Sequence, residues 1–125
     1  MTDLDRLGDA KYLLLTTFRR DGRAVATPVW SARDGDALYV WTAADSGKVK
    51  RVRNNGDVTL APCDFRGAPS GEPVAGRAAL LDQADDGHAR AVIQRKYGVV
   101  GWLTMFGSRI RRGRAGTICM RISLP

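Results

Sequence analysis

Four cations and no acid occupy the stretch "SGKVKRVRNN" at residues 46–55. The first turn of a helix carries unpaired N–H groups and partial positive charge, so cations there are unfavourable unless an anion lies beside them. Lys48 and Lys50 fall in that predicted first turn, after Ser46 as a helix cap. Thr42 offers a second hydroxyl just upstream. A bound phosphate or carboxylate would relieve the electrostatic conflict.

The spacing of the cations limits how many can reach one anion. Residues three apart share a helix face, so Lys48 goes with Arg51, and Lys50 goes with Arg53 on another face. We expect only one pair to face a single anion, and Arg53 to face water. The alternative is a solvated basic helix that binds nothing, and the residues alone leave both interpretations open.

Two prolines interrupt segments that otherwise read as strands. Pro28 lies in "AVATPVWSA" and Pro62 in "VTLAPCDF". Proline cannot donate a ladder hydrogen bond, so each marks an edge, a bulge or the end of a strand. The strands are therefore predicted to part here, where a flat ligand could lie on exposed backbone; two edge strands without a ligand are the alternative. Small residues flank both prolines: Ala26 and Thr27 in the first segment, Ala61 and Cys63 in the second.

The remaining candidates carry weaker signals. Trp30, Trp41 and Trp102 suit packing, an interface or a stacking surface, and Trp102 is the best placed for a dimer or pocket contact. His88 is expected to be exposed. No carboxylate pair, nucleophile motif or phosphate-binding glycine loop is present, so no residue receives a catalytic role. This profile suits a redox cofactor that brings its own reactive atom. A second basic run could bind a second anionic group or form a solvated turn: Arg109, Arg111, Arg112 and Arg114.

The length of the chain indicates one domain, and its positive charge indicates an anionic partner. The 125 residues include 20 Lys and Arg against 13 Asp and Glu, a net charge of +7. No apolar run is long enough for a membrane span and no signal-peptide core opens the chain, so the cytoplasm is the expected compartment. Cys63 and Cys119 are expected to be buried reduced thiols. Zinc-ligand spacing is absent, so no metal site is expected.

Turn signals and alternation predict a strand-dominated chain. Asp-Gly dipeptides at 21–22 and 34–35 favour tight hairpins and an antiparallel meander. Local hairpins in a chain of this size favour a small closed barrel. Residues 1–10 are expected to form a flexible lead, and 99–113 an amphipathic or loop-like segment. One predicted helix begins at Ser46, and a second spans 84–98. The predicted strands are 11–18, 24–33, 37–43, 57–65, 72–82 and 116–124.

From about residue 11 to 124 the chain resembles the deazaflavin-dependent branch of the pyridoxamine 5′-phosphate oxidase-like superfamily. The resemblance is carried by "TPVW", "DSGKVKRVRNN" and "VTLAPCD" in combination. It implies a mainly β fold, a six-stranded antiparallel split β-barrel over residues 1–125. It also implies a homodimer with cofactor sites at the subunit interface and a small-molecule substrate.

The resemblance also implies roles for particular residues. Those for the cofactor phosphate are Thr42, Ser46, Lys48 and Lys50, with Arg51 as a further candidate. Those for the ring are Ala26, Thr27, Pro28, Val29 and Trp30 on the second strand, and Ala61, Pro62 and Cys63 on the fourth. The partner subunit would contribute Trp102, and the second basic run could meet the polyglutamate tail of coenzyme F420.

The leading hypothesis is an F420-dependent oxidoreductase that delivers a hydride to an unsaturated or conjugated acceptor. An FMN-dependent oxidoreductase on the same scaffold is one alternative, and a non-catalytic protein that binds F420 or flavin is another. A nucleic-acid-binding barrel is disfavoured because stacking aromatics are not interleaved with the cations. Pyridoxal phosphate synthesis is disfavoured because the basic substrate-phosphate residues of true pyridoxamine phosphate oxidases are not recognisable here.

Overall fold

The chain folds into a closed six-stranded antiparallel barrel with strand order β1-β2-β3-β6-β5-β4. The computed structural model describes residues 2–112 and 116–125. The predicted mainly β split barrel is confirmed. The elements are α1 (Asp3–Asp9), β1 (Tyr12–Phe18), β2 (Ala24–Asp34), β3 (Ala37–Ala43), α2 (Gly47–Asn54), β4 (Asp57–Cys63), β5 (Val74–Leu80), α3 (Gln83–Arg112) and β6 (Thr117–Ser123).

Both predicted Asp-Gly hairpins are present. Gly22 and Gly35 have φ angles of 89° and 61°, a region open to glycine but costly for other residues. The β2–β3 hairpin is tight, since Asp34 pairs with Ala37. These turns fix the register of the first three strands.

The barrel interior holds the main hydrophobic core. Leu13 and Leu15 alternate inwards along β1 and are fully buried. Helix α2 adds Val49 and Val52 to the same core, as their i, i+3 spacing predicts. The helix that carries the cations is therefore anchored to the barrel by its own apolar face.

The predicted flexible lead is wrong, because residues 3–9 form helix α1. Thr2 and Asp5 make a reciprocal capping box at its start. Leu7 is fully buried in the main core, and Asp5 forms an ion pair with Arg33. The polar composition of this segment concealed one apolar side chain that the barrel can bury.

Helix α3 continues through the segment that was predicted as amphipathic or loop-like. It bends at Gly98, where φ is 61° and ψ is −138°. Before the bend, Ala89 and Ile93 pack with Ala32 and Cys119 in a second cluster, on the outside of the barrel. Both cysteines are buried and unpaired with each other, as predicted.

Candidate cofactor site at the β2–β3 gap

Strands β2 and β3 stop pairing halfway along β2. Their ladder runs from Asp34 and Ala37 to Trp30 and Trp41, and ends there. Residues 24–29 of β2 pair with β1 alone. Pro28 lies in this part, which has no β3 partner, and it has no N–H that could extend the β2–β3 ladder. We call the opening between residues 24–29 and residues 42–46 the β2–β3 gap.

The second proline also lies beyond the end of a ladder. Strand β4 pairs with β5 from Asp57 only as far as Leu60. Beyond this point Pro62 pairs with β1, and its carbonyl accepts a hydrogen bond from the Ser70 N–H at 2.8 Å, from the following loop. Both prolines therefore mark places where neighbouring strands part, as their sequence context indicates.

The first strand lies between the two segments that were predicted to contact a ring. Leu14 pairs with Pro28 on one side and with Ala61 on the other. Two residues further along β1, Thr16 pairs with Ala26 of β2 and with Thr59 of β4 in the same way. The residues predicted to contact a ring on β2 and β4 are thus separated by β1 and belong to a three-stranded segment of the barrel.

Strand alternation divides the predicted ring contacts by face. Ala26 and Pro28 are exposed and Trp30 half-buried, and all three point outwards. Val29 packs in the barrel core, so it can offer a ligand only its backbone. Ala61 and Cys63 are 4% and 9% exposed, which leaves little of either side chain open.

Helix α2 begins as predicted, but its cap is incomplete. Ser46 occupies the N-cap position with extended backbone, yet its hydroxyl makes no hydrogen bond to the helix. No acidic residue lies in the first turn. Thr42, at the end of β3, is 8% exposed. The helix start thus keeps unpaired backbone N–H groups beside a free hydroxyl.

Four buried polar side-chain atoms in the described part of the chain have no hydrogen-bond partner. All four come from β2, β3 or the residue before α2. An unpaired buried polar group costs about 1–3 kcal/mol, so such a concentration is unusual in a native protein. Three of the four border the β2–β3 gap, and Ser31 lies one pair further along the ladder. The atoms are Thr27 Oγ1, Ser31 Oγ, Trp41 Nε1 and Ser46 Oγ.

The cations of α2 separate into two faces. Lys48 and Arg51 are half-buried, whereas Lys50 and Arg53 are exposed. Burial, and secondly the charge of Arg51, lower the pKa of Lys48 below its ordinary value. Among the described residues, no carboxylate lies within 4 Å of any of these four cations. Lys48 and Arg51 thus share the less exposed face of α2, where the charge of Arg51 acts on Lys48 and neither has a carboxylate beside it.

Arg51 is fixed over the start of α2 by a residue of β1. Its Nε donates a hydrogen bond to Thr17 Oγ1 at 2.6 Å, and Thr17 is fully buried. Its guanidinium lies so close to Gly47 that a Cβ there would be 2.6 Å from Nη1. Local sequence gave no signal for Thr17, because only the barrel brings residue 17 beside residue 51.

Other predicted residues lie away from this site or outside the described structure. His88 is exposed, with Nε2 2.6 Å from Asp34 Oδ2 on the opposite end of β2. The side chain of Trp102 lies outside the described residues, as do Arg114 and the side chains of Arg109, Arg111 and Arg112.

In residues 2–112 and 116–125 no cluster of His, Cys, Asp and Glu has a metal-binding arrangement. No helix of this described part is both long and apolar enough to cross a bilayer.

Residues 4–117 match the family model of pyridoxamine 5′-phosphate oxidase. This match covers most of the chain, including strands β1 to β5 and the first residue of β6. No curated protein matches the chain.

Solved structures share the fold at low sequence identity. HutZ, a haem storage protein from Vibrio cholerae, is 10% identical with a TM-score of 0.72, and the alignment covers 97% of this chain and 86% of HutZ. The conserved hypothetical protein Rv2991 from Mycobacterium tuberculosis is 16% identical with a TM-score of 0.69, covering 99% and 81%. An F420 reductase is 17% identical with a TM-score of 0.61, covering 97% and 91%. At these identities the likeness shows the fold alone.

Proposed function

The chain belongs to the pyridoxamine 5′-phosphate oxidase family, and from that premise we propose that it is an F420-dependent oxidoreductase. When bound, the deazaflavin supplies a hydride; an unsaturated acceptor that takes this hydride and one proton from solvent is reduced by two electrons. The protein's part is to hold and orient the cofactor. The fold likeness to an F420 reductase supports the choice of cofactor.

One observation carries the proposal: Lys48 and Arg51 are held together at a helix start without a carboxylate. A phosphate there would meet two cations, unpaired backbone N–H groups and the free Ser46 hydroxyl. It would also offset the burial, and secondly the repulsion by Arg51, that lower the pKa of Lys48. The residues present therefore fit the phosphate-bearing end of such a cofactor. Thr42 and Lys50 belong to the same proposed site, Lys50 from its exposed edge.

The ring is assigned to the outer surface beside the gap. Ala26, Pro28 and Trp30 would contact it through side chains, and Thr27 and Val29 through backbone. Small side chains here let a flat ring approach the strands closely. The β4 residues of the same proposed surface are Ala61, Pro62 and Cys63.

A homodimer would complete this site. The outer surface at Ala24, Ala26 and Pro28 is exposed in the single chain, so a ring lying there would have one open side. We assign Trp102 of a second copy to that side, since burial on both faces would exclude water from the reacting carbon. Size-exclusion chromatography with light scattering tests the dimer, and a monomer at micromolar concentration would contradict it.

Titration of the purified protein with F420 and with FMN tests the cofactor. We expect micromolar binding of F420 and at least ten-fold weaker binding of FMN. Tighter binding of FMN would favour the FMN-dependent alternative, and binding of neither would overturn the proposal. Hydride transfer from reduced F420 to a panel of conjugated acceptors then distinguishes an enzyme from a non-catalytic binding protein.

A pair of double variants tests the phosphate assignment. Lys48→Gln with Arg51→Gln removes the half-buried pair, and Lys50→Gln with Arg53→Gln removes the same charge from the exposed face. We expect the first to weaken cofactor binding by at least ten-fold, and the second by about two-fold or less because exposed charges are screened. Equal losses would mean that net charge, rather than this site, attracts the cofactor.

A further inference from the structure

A cavity of about 320 Å³ lies between the start of β1, the middle of β2 and the bend of α3. Its wall includes three aromatic side chains, Tyr12, Trp30 and Tyr97. The rings of Trp30 and Tyr97 are stacked, with centroids 4.3 Å apart and planes 10° from parallel. Each ring covers one face of the other, and the outer face of such a pair favours stacking of a flat, conjugated ligand.

Two polar residues of the cavity are held in place by backbone and have no donor left for a ligand. The Tyr97 hydroxyl donates to the Lys11 carbonyl at 2.6 Å and accepts from the Ser31 N–H at 3.0 Å. Burial raises the pKa of Tyr97 to about 12, so the phenol stays protonated. The Lys96 ammonium donates its three N–H groups to the carbonyls of Gly8, Ala10 and Ser31.

The ammonium of Lys11 is the charged donor that remains at the cavity. Lys11 is exposed, and its Nζ lies 5.8 Å from the centroid of the Tyr12 ring. No carboxylate of the described chain lies within 4 Å of it. Among the described residues that line the cavity, Lys11 and Lys96 outnumber the one acid, Asp9, so this lining carries a net positive charge. An anionic group on a ligand would meet Lys11.

The outer lip of the cavity is apolar. Val100 lines the cavity and is 64% exposed, just past the bend at Gly98. Leu103, one turn further along α3, is 56% exposed. A ligand lying on the aromatic wall would cover part of this exposed apolar surface, which favours binding.

We propose that this cavity binds a planar conjugated carboxylate, with its ring system against Trp30 and Tyr97 and its carboxylate at Lys11. Trp30 connects the cavity to the ring surface, because it lies two residues from Pro28 on the same face of β2, roughly 7 Å along the strand. The role of this ligand as hydride acceptor rests on the proposed function. The binding of this ligand is independent of the proposed function, because the cavity is formed without a cofactor.

Binding of 2-naphthoate and of its uncharged isostere 2-naphthamide to the cofactor-free protein tests the inference by calorimetry. We expect 2-naphthoate to bind about five-fold more tightly, the upper range for a solvent-exposed ion pair. Lys11→Gln should reduce this preference to less than two-fold, because it removes the ammonium and keeps the stem. Arg53→Gln, which removes an exposed cation of α2, is the matched control and should keep the preference. Tyr12→Leu should weaken both probes together.

Equal affinity for the two probes, no binding of either, or an unchanged preference in Lys11→Gln would overturn the inference. The two proposals fail separately. Absence of naphthoate binding alongside normal F420 titration would remove the acceptor site and leave the cofactor assignment intact. Naphthoate binding without cofactor binding would do the reverse.

Discussion

The Nε of Arg51 donates a hydrogen bond to Thr17 Oγ1 at 2.6 Å, which ties the cationic start of α2 to the first strand of the barrel. Without this bond the long arginine side chain would turn away from Lys48, since like charges repel. The fully buried Thr17 thus fixes the Arg51 side chain at the start of α2, where we propose that the cofactor phosphate binds. Such preorganisation lowers the entropic cost of binding.

Thr17→Val should therefore weaken cofactor binding while leaving the fold intact. Valine matches threonine in shape but cannot accept the hydrogen bond, so Arg51 is released. We expect affinity to fall about three- to ten-fold, equivalent to about 1 kcal/mol for a lost hydrogen bond. Titration measures the affinity, and thermal unfolding checks the fold. Thr16→Val, the adjacent threonine on the outer face, is the control for phosphate binding; a similar loss in it would contradict the role of Thr17.

Lys48→Met should stabilise the cofactor-free protein and weaken cofactor binding. The ammonium is half-buried beside Arg51 without an acidic partner, so its removal relieves desolvation and repulsion. We expect the melting temperature to rise by about 1–3 °C. A fall in melting temperature would mean that Lys48 contributes to the fold itself.

The same lysine gives stability a pH dependence of known sign. Its pKa in the folded state lies below the ordinary value of 10.5, so between those two pKa values the unfolded chain binds more protons. Stability from this group is therefore lowest at neutral pH and rises as pH passes through the folded-state pKa towards 10.5. The stability difference between Lys48→Met and wild type should shrink as the pH rises towards 10.5. A difference that is constant over this range would contradict the depressed pKa.

Gly98→Ala should destabilise the protein by at least about 1–2 kcal/mol. A φ of 61° with ψ of −138° is accessible to glycine and strained for any residue with a Cβ. Outside the local helix, no atom of the described residues lies within 4 Å of where that Cβ would be, so the cost is conformational rather than steric. Gly107→Ala in the same helix is the control; it should be neutral or stabilise by roughly 0.5–1 kcal/mol. Denaturant unfolding measures both.

The Cys119 thiol should not react with a thiol reagent in the folded protein. Burial raises the pKa of Cys119 to about 12, so at pH 8 roughly one molecule in ten thousand carries the reactive thiolate. We expect labelling by Ellman's reagent only at the rate of unfolding, with Cys119→Ala as the variant that identifies the signal. Rapid labelling of Cys119 at pH 8 would show that it is accessible.

Local sequence was enough to predict most of the elements, because these follow from interactions between near neighbours. Asp-Gly dipeptides set the first hairpins, alternation of apolar residues defined the strands, and Ser46 with Val49 and Val52 located α2. The resemblance added the family and the position of the candidate site. Local signals failed for α1, because its stability depends on Leu7, which is buried only when the barrel is present.

How those elements meet became clear only from the folded chain. It placed β1 between the two proline-marked strands and Thr17 beside Arg51, although 34 positions separate these two residues. It also showed that Lys48, rather than Lys50, is half-buried with Arg51. The physical reason is that strand pairing around a closed barrel joins residues distant in sequence. Which cation loses its water, and which hydroxyl lacks a partner, therefore depends on the whole barrel and not on the ten residues that carry the charge.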